Sequence, residues 1–172
     1  MDTKLTGKTR IESDLIGARE IPAEALYGVQ TLRGIENFSI SKFRLSEYPL
    51  FIKGLAITKM AAAMANFELG LLTVEQKDAI IAACGEILDG KHHDQFPVDM
   101  IQGGAGTTTN MNANEVIANR ALELMGHERG EYQYCSPNDH VNCSQSTNDA
   151  YPTAIHIGMY FKHLQLLPHL EE

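Results

Sequence analysis

The sequence predicts a mainly α-helical chain, on three observations. Apolar residues recur at three-and-four spacing along several segments that glycines terminate. No alternating Val/Ile/Thr-rich run of strand length stands out, which leaves room only for a small hairpin near the N-terminus. The composition is that of a folded domain, 44% hydrophobic and 21% charged over 172 residues, well away from disordered chains.

Taken in order, Thr9 to Ile40 mixes charge with turn residues, and Pro22-Ala23-Glu24-Ala25 is expected to open a short helix through Tyr27, Val29, Leu32 and Ile35. From Pro49 to Leu69 an alanine- and methionine-rich run without internal proline predicts a long, largely buried helix, with Gly70 as its stop. Thr73-Val74-Glu75-Gln76 reads as a capping box for a helix carrying Ile80, Ala83, Cys84, Ile87 and Leu88 and ending near Asp89-Gly90. Lys91 to Pro97 reads as a loop. Its adjacent His92 and His93 point in different directions in either regular structure, which disfavours a shared metal ion.

Two polar stretches follow, each leading into a helical pattern. Gln102 to Asn110 precedes a helix over Met111–Met125 that Gly126 ends, and Ser136 to Asp149 precedes one from Ala150 to Leu170. On the last helix Ile157, Phe161, Leu164, Leu167 and Leu170 form an apolar stripe, yet Leu170-Glu171-Glu172 offers no stop signal. That pattern reads as a helix cut midway.

Charge and cysteine usage exclude whole function classes. A formal net charge of −8 argues against nucleic acid or an anionic membrane as partner. Cys84, Cys135 and Cys143 are odd in number, far apart and without a CxxC pair, so neither a disulfide framework nor a zinc site is expected. The start, Met1 to Lys8, has no apolar targeting segment, and no run of apolar residues matches a membrane span. A reduced, cytoplasmic protein is the expectation.

A glycine-rich loop feeding a helix sets free backbone N–H groups and the positive end of the helix dipole beside a ligand, and Thr and Ser hydroxyls add rotatable donors. The loop at Gly103 to Thr109 lacks P-loop lysine and Gly-x-Gly-x-x-Gly order, so a carboxylate suits it better than a nucleotide phosphate. The plainer reading is helix capping, for which Ser, Thr, Asn and Asp are preferred anyway. Two such stretches so close together favour a ligand. Asparagine, both donor and acceptor, suits an amine and a carboxylate on one molecule.

Gly103 to Ala121, with its string Thr107-Thr108-Thr109-Asn110-Met111-Asn112-Ala113-Asn114-Glu115, and Pro137-Asn138-Asp139-His140-Val141-Asn142 with Ser144 to Thr153 closely resemble the first two signature regions of the aspartase/fumarase superfamily. Arg10-Ile11-Glu12, Leu15 to Ala23 and Tyr27 to Phe38 resemble the same superfamily. Ser146-Thr147-Asn148-Asp149-Ala150-Tyr151, Ser136 and Glu131-Tyr132-Gln133-Tyr134 are closer to its ammonia-eliminating branch than to the fumarases.

The resemblance implies a helical N-terminal domain over 1–143 and, over 144–172, the first helix of a central bundle, in a homotetramer whose sites draw on several subunits. It implies reversible anti elimination of ammonia from L-aspartate to fumarate through an enediolate-like intermediate, with no cofactor and no metal. Thr107, Ser146 and Thr147 would hold the β-carboxylate, and Asn148, with Thr107, the amino group. The general base would be a serine on a Gly-Ser-Ser loop that these residues do not contain, and His140, His156 and His163 are not assigned to replace it. A class II fumarate hydratase and a non-catalytic binding protein of the same fold are the alternatives.

Overall fold

The computed structural model describes residues 7–171, so the readings of Met1–Thr6 and of Glu172 lie outside the described residues. The chain is mainly helical, as expected, with one hairpin. β1 (Thr9–Asp14) and β2 (Gly17–Pro22) pair antiparallel with Asp14 opposite Gly17, leaving Leu15 and Ile16 as the turn. Asp14 Oδ1 closes that turn by accepting from the amides of Ile16 at 2.9 Å and Gly17 at 3.1 Å.

β1 turns its charged residues inward. Glu12 is buried while Ile11 is 72% exposed, the reverse of an ordinary amphipathic strand. The inward charges have work there: Arg10 donates to the carbonyls of Pro22, Ala25 and Tyr27 and pairs with Glu12 at 2.7 Å. Pro22 therefore ends a strand instead of opening a helix, and α1 (Val29–Asn37) starts only after the turn at 23–28.

α1 has no side-chain cap of its own, because Gly28 occupies its N-cap. Its leading amides are taken by two carboxylates from elsewhere. Glu115 accepts from the amides of Gly28 (2.8 Å), Gln30 (2.8 Å) and Thr31 (3.0 Å), and Glu12 Oε2 from Val29 (3.1 Å) and the Tyr132 hydroxyl (2.8 Å). A Cβ on Gly28 would overlap both carboxylates and the Tyr132 hydroxyl, so glycine is required by crowding.

α2 (Pro49–Glu68) and α3 (Val74–Leu88) form as the sequence indicates. Gly70 follows α2 at φ +74. The capping box is complete, Thr73 Oγ1 accepting from the Gln76 amide and Gln76 Oε1 from the Thr73 amide. α2 buries the stripe Ile52, Leu55, Ala56, Lys59, Ala63 and Asn66, with Gly54 on its other side, rather than being largely buried. Its length and mean hydropathy of 1.3 would suffice to cross a membrane, but it packs against α3 and a later helix.

α4 (Thr107–Leu124) and α5 (Thr147–Glu171) each begin earlier than the hydrophobic pattern suggests, because their first turns are polar. α4 is the central helix, with every residue from Thr109 to Asn119 buried. It packs on α1 and α3, while α2 packs on α3 and α5. Two glycines let α2 and α5 meet at backbone distance: a Cβ on Gly54 would overlap the Ala154 carbonyl oxygen, and one on Gly158 would press on the Leu50 carbonyl at 3.1 Å. Beyond that crossing Leu164, Leu166, Leu167 and Leu170 are exposed.

His92 and His93 diverge, as the sequence predicts. His92, in the left-handed region at φ 63, meets Glu86 at 2.8 Å, and His93 meets the Ile87 carbonyl at 2.9 Å. Arg120 holds Glu86 bidentately at 2.6 and 2.8 Å, tying α3 to α4 and pulling the Glu86 carboxyl down to about 2.

Glycine's two roles separate in one comparison. Gly54→Ala is expected to lower unfolding free energy by about 2 kcal/mol or more, since a carbonyl blocks the new methyl. Gly85→Ala, on α3 with nothing within 4 Å, should raise it by about 0.5–1 kcal/mol through helix propensity. Urea unfolding curves of the two variants check both signs.

Candidate functional site

The two polar stretches meet. Gly106, at φ +85, precedes α4 and lies flat against the Tyr151 ring of α5, where any Cβ would overlap ring carbons. Asn110 Nδ2, one turn into α4, donates to Thr147 Oγ1 at the start of α5 at 3.1 Å. The N-termini of α4 and α5 are thereby held side by side, and their leading amides and positive dipole ends share one patch of surface.

Each residue predicted for the site is at one of these two helix starts. Thr107 is the first residue of α4 and is exposed. Ser146 directly precedes α5, Thr147 and Asn148 are its first two residues, and Ser146 and Asn148 are exposed. The capping reading also holds in part: Ser146 Oγ accepts from the Asn148 amide at 3.2 Å, and Gln102 caps α4 from the side by accepting from the Thr109 amide at 2.8 Å. A hydroxyl that accepts one bond still has its proton to donate, so capping leaves Ser146 able to bind an acceptor.

Beneath this surface lies a polar network that sequence reasoning missed. Lys59 of α2 is fully buried, and its ammonium donates to Asn142 Oδ1 and Gln145 Oε1, both at 2.9 Å. Asn142 Oδ1 also accepts from Asn110 Nδ2 at 3.0 Å and Asn114 Nδ2 at 3.2 Å. Asn66 Nδ2 and Gln145 Nε2 both donate to the Cys143 carbonyl, at 2.8 and 3.2 Å, which fixes the loop ahead of Ser146. Burial brings the Lys59 ammonium down to about 7. The available signal was a single lysine on the buried stripe of α2, three and four residues from Ala56, Leu55 and Ala63.

The asparagines read as ligand donors divide by place. Asn110, Asn112, Asn114 and Asn119 are fully buried in α4 and serve the fold: Asn112 Nδ2 reaches the Gln95 carbonyl and Asn119 Nδ2 the Leu26 carbonyl. Asn148 is at the surface. His140 is structural too, its Nδ1 accepting from the Ser136 amide at 2.7 Å within the single π-helical turn Pro137–Val141, and burial lowers its pKa. His156 is exposed, and His163 bonds to the Met159 carbonyl of its own helix. Two cavities flank the helix starts. One of about 720 Å³ is lined by Arg33, Thr108, Ser136 and Asn138, and an apolar groove of about 670 Å³ by Phe51, Met100, Tyr151 and Ile155. Thr107, Ser146, Thr147 and Asn148 line neither of them.

The sequence profile of the family described as Lyase matches residues 17–172. The chain belongs to this lyase family. Among its relatives, the aspartate ammonia-lyase of Helicobacter pylori strain J99 is 64% identical over 151 residues, covering 88% of this chain and 32% of the relative. That of Escherichia coli K12 is 58% identical over 164 residues, 95% of this chain and 34% of the relative. The lyase chain thus spans about a third of the length of the curated relatives it matches. Among solved structures, the fumarate lyase:delta crystallin from Brucella melitensis in native form superposes with a TM-score of 0.93 at 52% identity, over 95% of this chain and 38% of that one. The class II fumarase from Schistosoma mansoni gives 0.82 at 39% identity, over 88% and 32%.

The buried lysine of this lyase chain makes stability depend on pH with a definite sign. Its folded pKa, about 7, lies below the ordinary 10.5. Between these values the unfolded chain holds a proton the folded chain has released, so stability rises with pH across that window. Lys59→Met should remove a rise of about 4 kcal/mol, read as the difference between urea unfolding of the two proteins at either end of the window.

Proposed function

We propose that this chain forms the carboxylate-gripping part of an aspartate ammonia-lyase, which eliminates ammonia from L-aspartate to give fumarate. The observation that carries the reading is the pairing of two helix N-termini with Thr107, Ser146, Thr147 and Asn148 at their tips. The identity of 58–64% to proteins named aspartate ammonia-lyase supports it. Ser136 stands where the fumarase pattern has a histidine, which favours the ammonia-eliminating branch over the fumarases.

The chemistry explains why such a surface is needed. Removing the proton beside the β-carboxylate is hard because it builds a second negative charge onto that group, in an enediolate-like species. Donors aimed at the carboxylate accelerate the step only if they bind that species more tightly than the substrate. Thr107, Ser146 and Thr147 supply such donors together with the two helix dipoles, and Asn148 with Thr107 receives the amino group. The proton acceptor is a serine of a segment outside these residues. In this reading residues 1–143 form the N-terminal domain, 144–172 open a central helix bundle, and the exposed leucines of α5 pack in a cytoplasmic homotetramer.

Full-length enzyme is expected to release ammonia from L-aspartate as fumarate absorbance rises, and the 172-residue chain alone to release none. Thr147→Ala in the full enzyme should cost about 3 kcal/mol of transition-state stabilisation, the contribution of one oxyanion donor. Malate dehydration without ammonia release would transfer the assignment to fumarate hydratase, and saturable binding without turnover to a binding protein.

A further inference from the structure

The side chains behind Thr147 fix the direction in which hydrogen bonds run at the site. Lys59 Nζ donates to Asn142 Oδ1 at 2.9 Å, which marks that atom as the acceptor and the Asn142 amide as turned one way. Asn142 confirms that orientation from its other end, its Nδ2 donating to the Gln145 carbonyl at 3.0 Å. An amide oxygen cannot donate, so Asn110 must face it with Nδ2, at 3.0 Å. The same Nδ2 group carries the second N–H, which reaches Thr147 Oγ1 at 3.1 Å.

Turning the Asn110 amide over would set its oxygen against the Asn142 oxygen. The observed orientation prevails although the Asn110 carbonyl oxygen, fully buried, finds no partner among the described residues. Thr147 Oγ1 therefore accepts from below, and its single proton must be spent elsewhere. The usual internal outlet for a helical threonine is the carbonyl four residues back. Thr147 opens α5, so Cys143, four residues back, lies outside the helix, and its oxygen already takes Asn66 Nδ2 and Gln145 Nε2. The proton is left for whatever binds at the helix starts.

We propose that Asn110, clamped by the Lys59–Asn142 pair, is a positioning residue that takes up one lone pair of Thr147 Oγ1 and turns its proton toward the ligand, so that the site prefers a carboxylate to a carboxamide at this position. The inference rests on the proposed function for the identity of the ligand and goes beyond it in naming what enforces the choice. A carboxylate offers acceptors on both oxygens, whereas a carboxamide must turn an N–H toward one of the donors at Thr107, Ser146 or Thr147. Discrimination comes from that clash of donors as much as from attraction.

The test is calorimetric binding of succinate and of its monoamide, succinamate, to the full-length protein, wild type and with Asn110→Ala, Thr147→Val and both. Wild type should bind succinate at least about tenfold more tightly, one misplaced hydrogen bond being worth that much. Asn110→Ala should narrow the preference, and should change nothing further in the Thr147→Val background, because it acts through that hydroxyl. A structural role would weaken both ligands alike and add to the Thr147→Val loss, and either result overturns the proposal. So does a wild type without preference for succinate. If melting curves show that Asn110→Ala does not fold, Asn110→Ser replaces it with the same expectations. Ammonia release is measured separately on the wild type, so that loss of the proposed reaction and loss of the donor lock are read by different instruments.

Discussion

Much of the irregular backbone among the described residues is anchored to the polar side chains of α4. A helix buried over eleven consecutive residues, Thr109 to Asn119, would be expected to be apolar all round. Instead Asn110, Asn112, Asn114, Glu115 and Asn119 are fully or almost fully buried on it. Each supplies the hydrogen bond that a loop or helix end cannot make for itself: Glu115 for α1, Asn112 for Gln95, Asn119 for Leu26 and Gly130, Asn110 and Asn114 for Asn142. Buried backbone groups left unpaired are costly, so several loops enter the interior where α4 meets them. The site is one instance of the same rule.

The packing around α4 keeps the second helix start in place. α5 is placed from one side by the Gly54 and Gly158 contacts with α2 and from the other by Gly106 against Tyr151. Lys59 reaches from α2 to Asn142 and Gln145, so the loop that delivers Ser146 is held by the same helix that α5 crosses. A lone buried cation among neutral amides is expensive. Its benefit is directional, since it imposes a donor order on the amides it touches.

Much of this was legible in the residues, and the parts that were not share a cause. The capping box at Thr73, the stop at Gly70 and the apolar faces of α2 and α3 are local signals, and they sufficed. The start of α1 was misplaced because its cap is not local: Glu115 and Glu12 replace the side chain Gly28 lacks. β1 showed no apolar alternation because its inward face is Arg10, Glu12 and Asp14. At the candidate site, the motif pointed to the two helix starts that carry Thr107, Ser146, Thr147 and Asn148, while the contacts among Lys59, Asn110 and Asn142 were hidden by distance along the chain, since Lys59 and Asn142 meet across 83 residues.

The borrowed cap of α1 has a consequence in time. Gly28, Gln30 and Thr31 find their acceptor 87, 85 and 84 residues further along, and a nine-residue helix is marginal in water without tertiary support. During synthesis the hairpin strands and α1 therefore leave the ribosome long before the carboxylate that completes them exists. Among the described residues the first helix is thus completed only after a helix translated well behind it, and the native cap of α1 cannot form before α4 has been made.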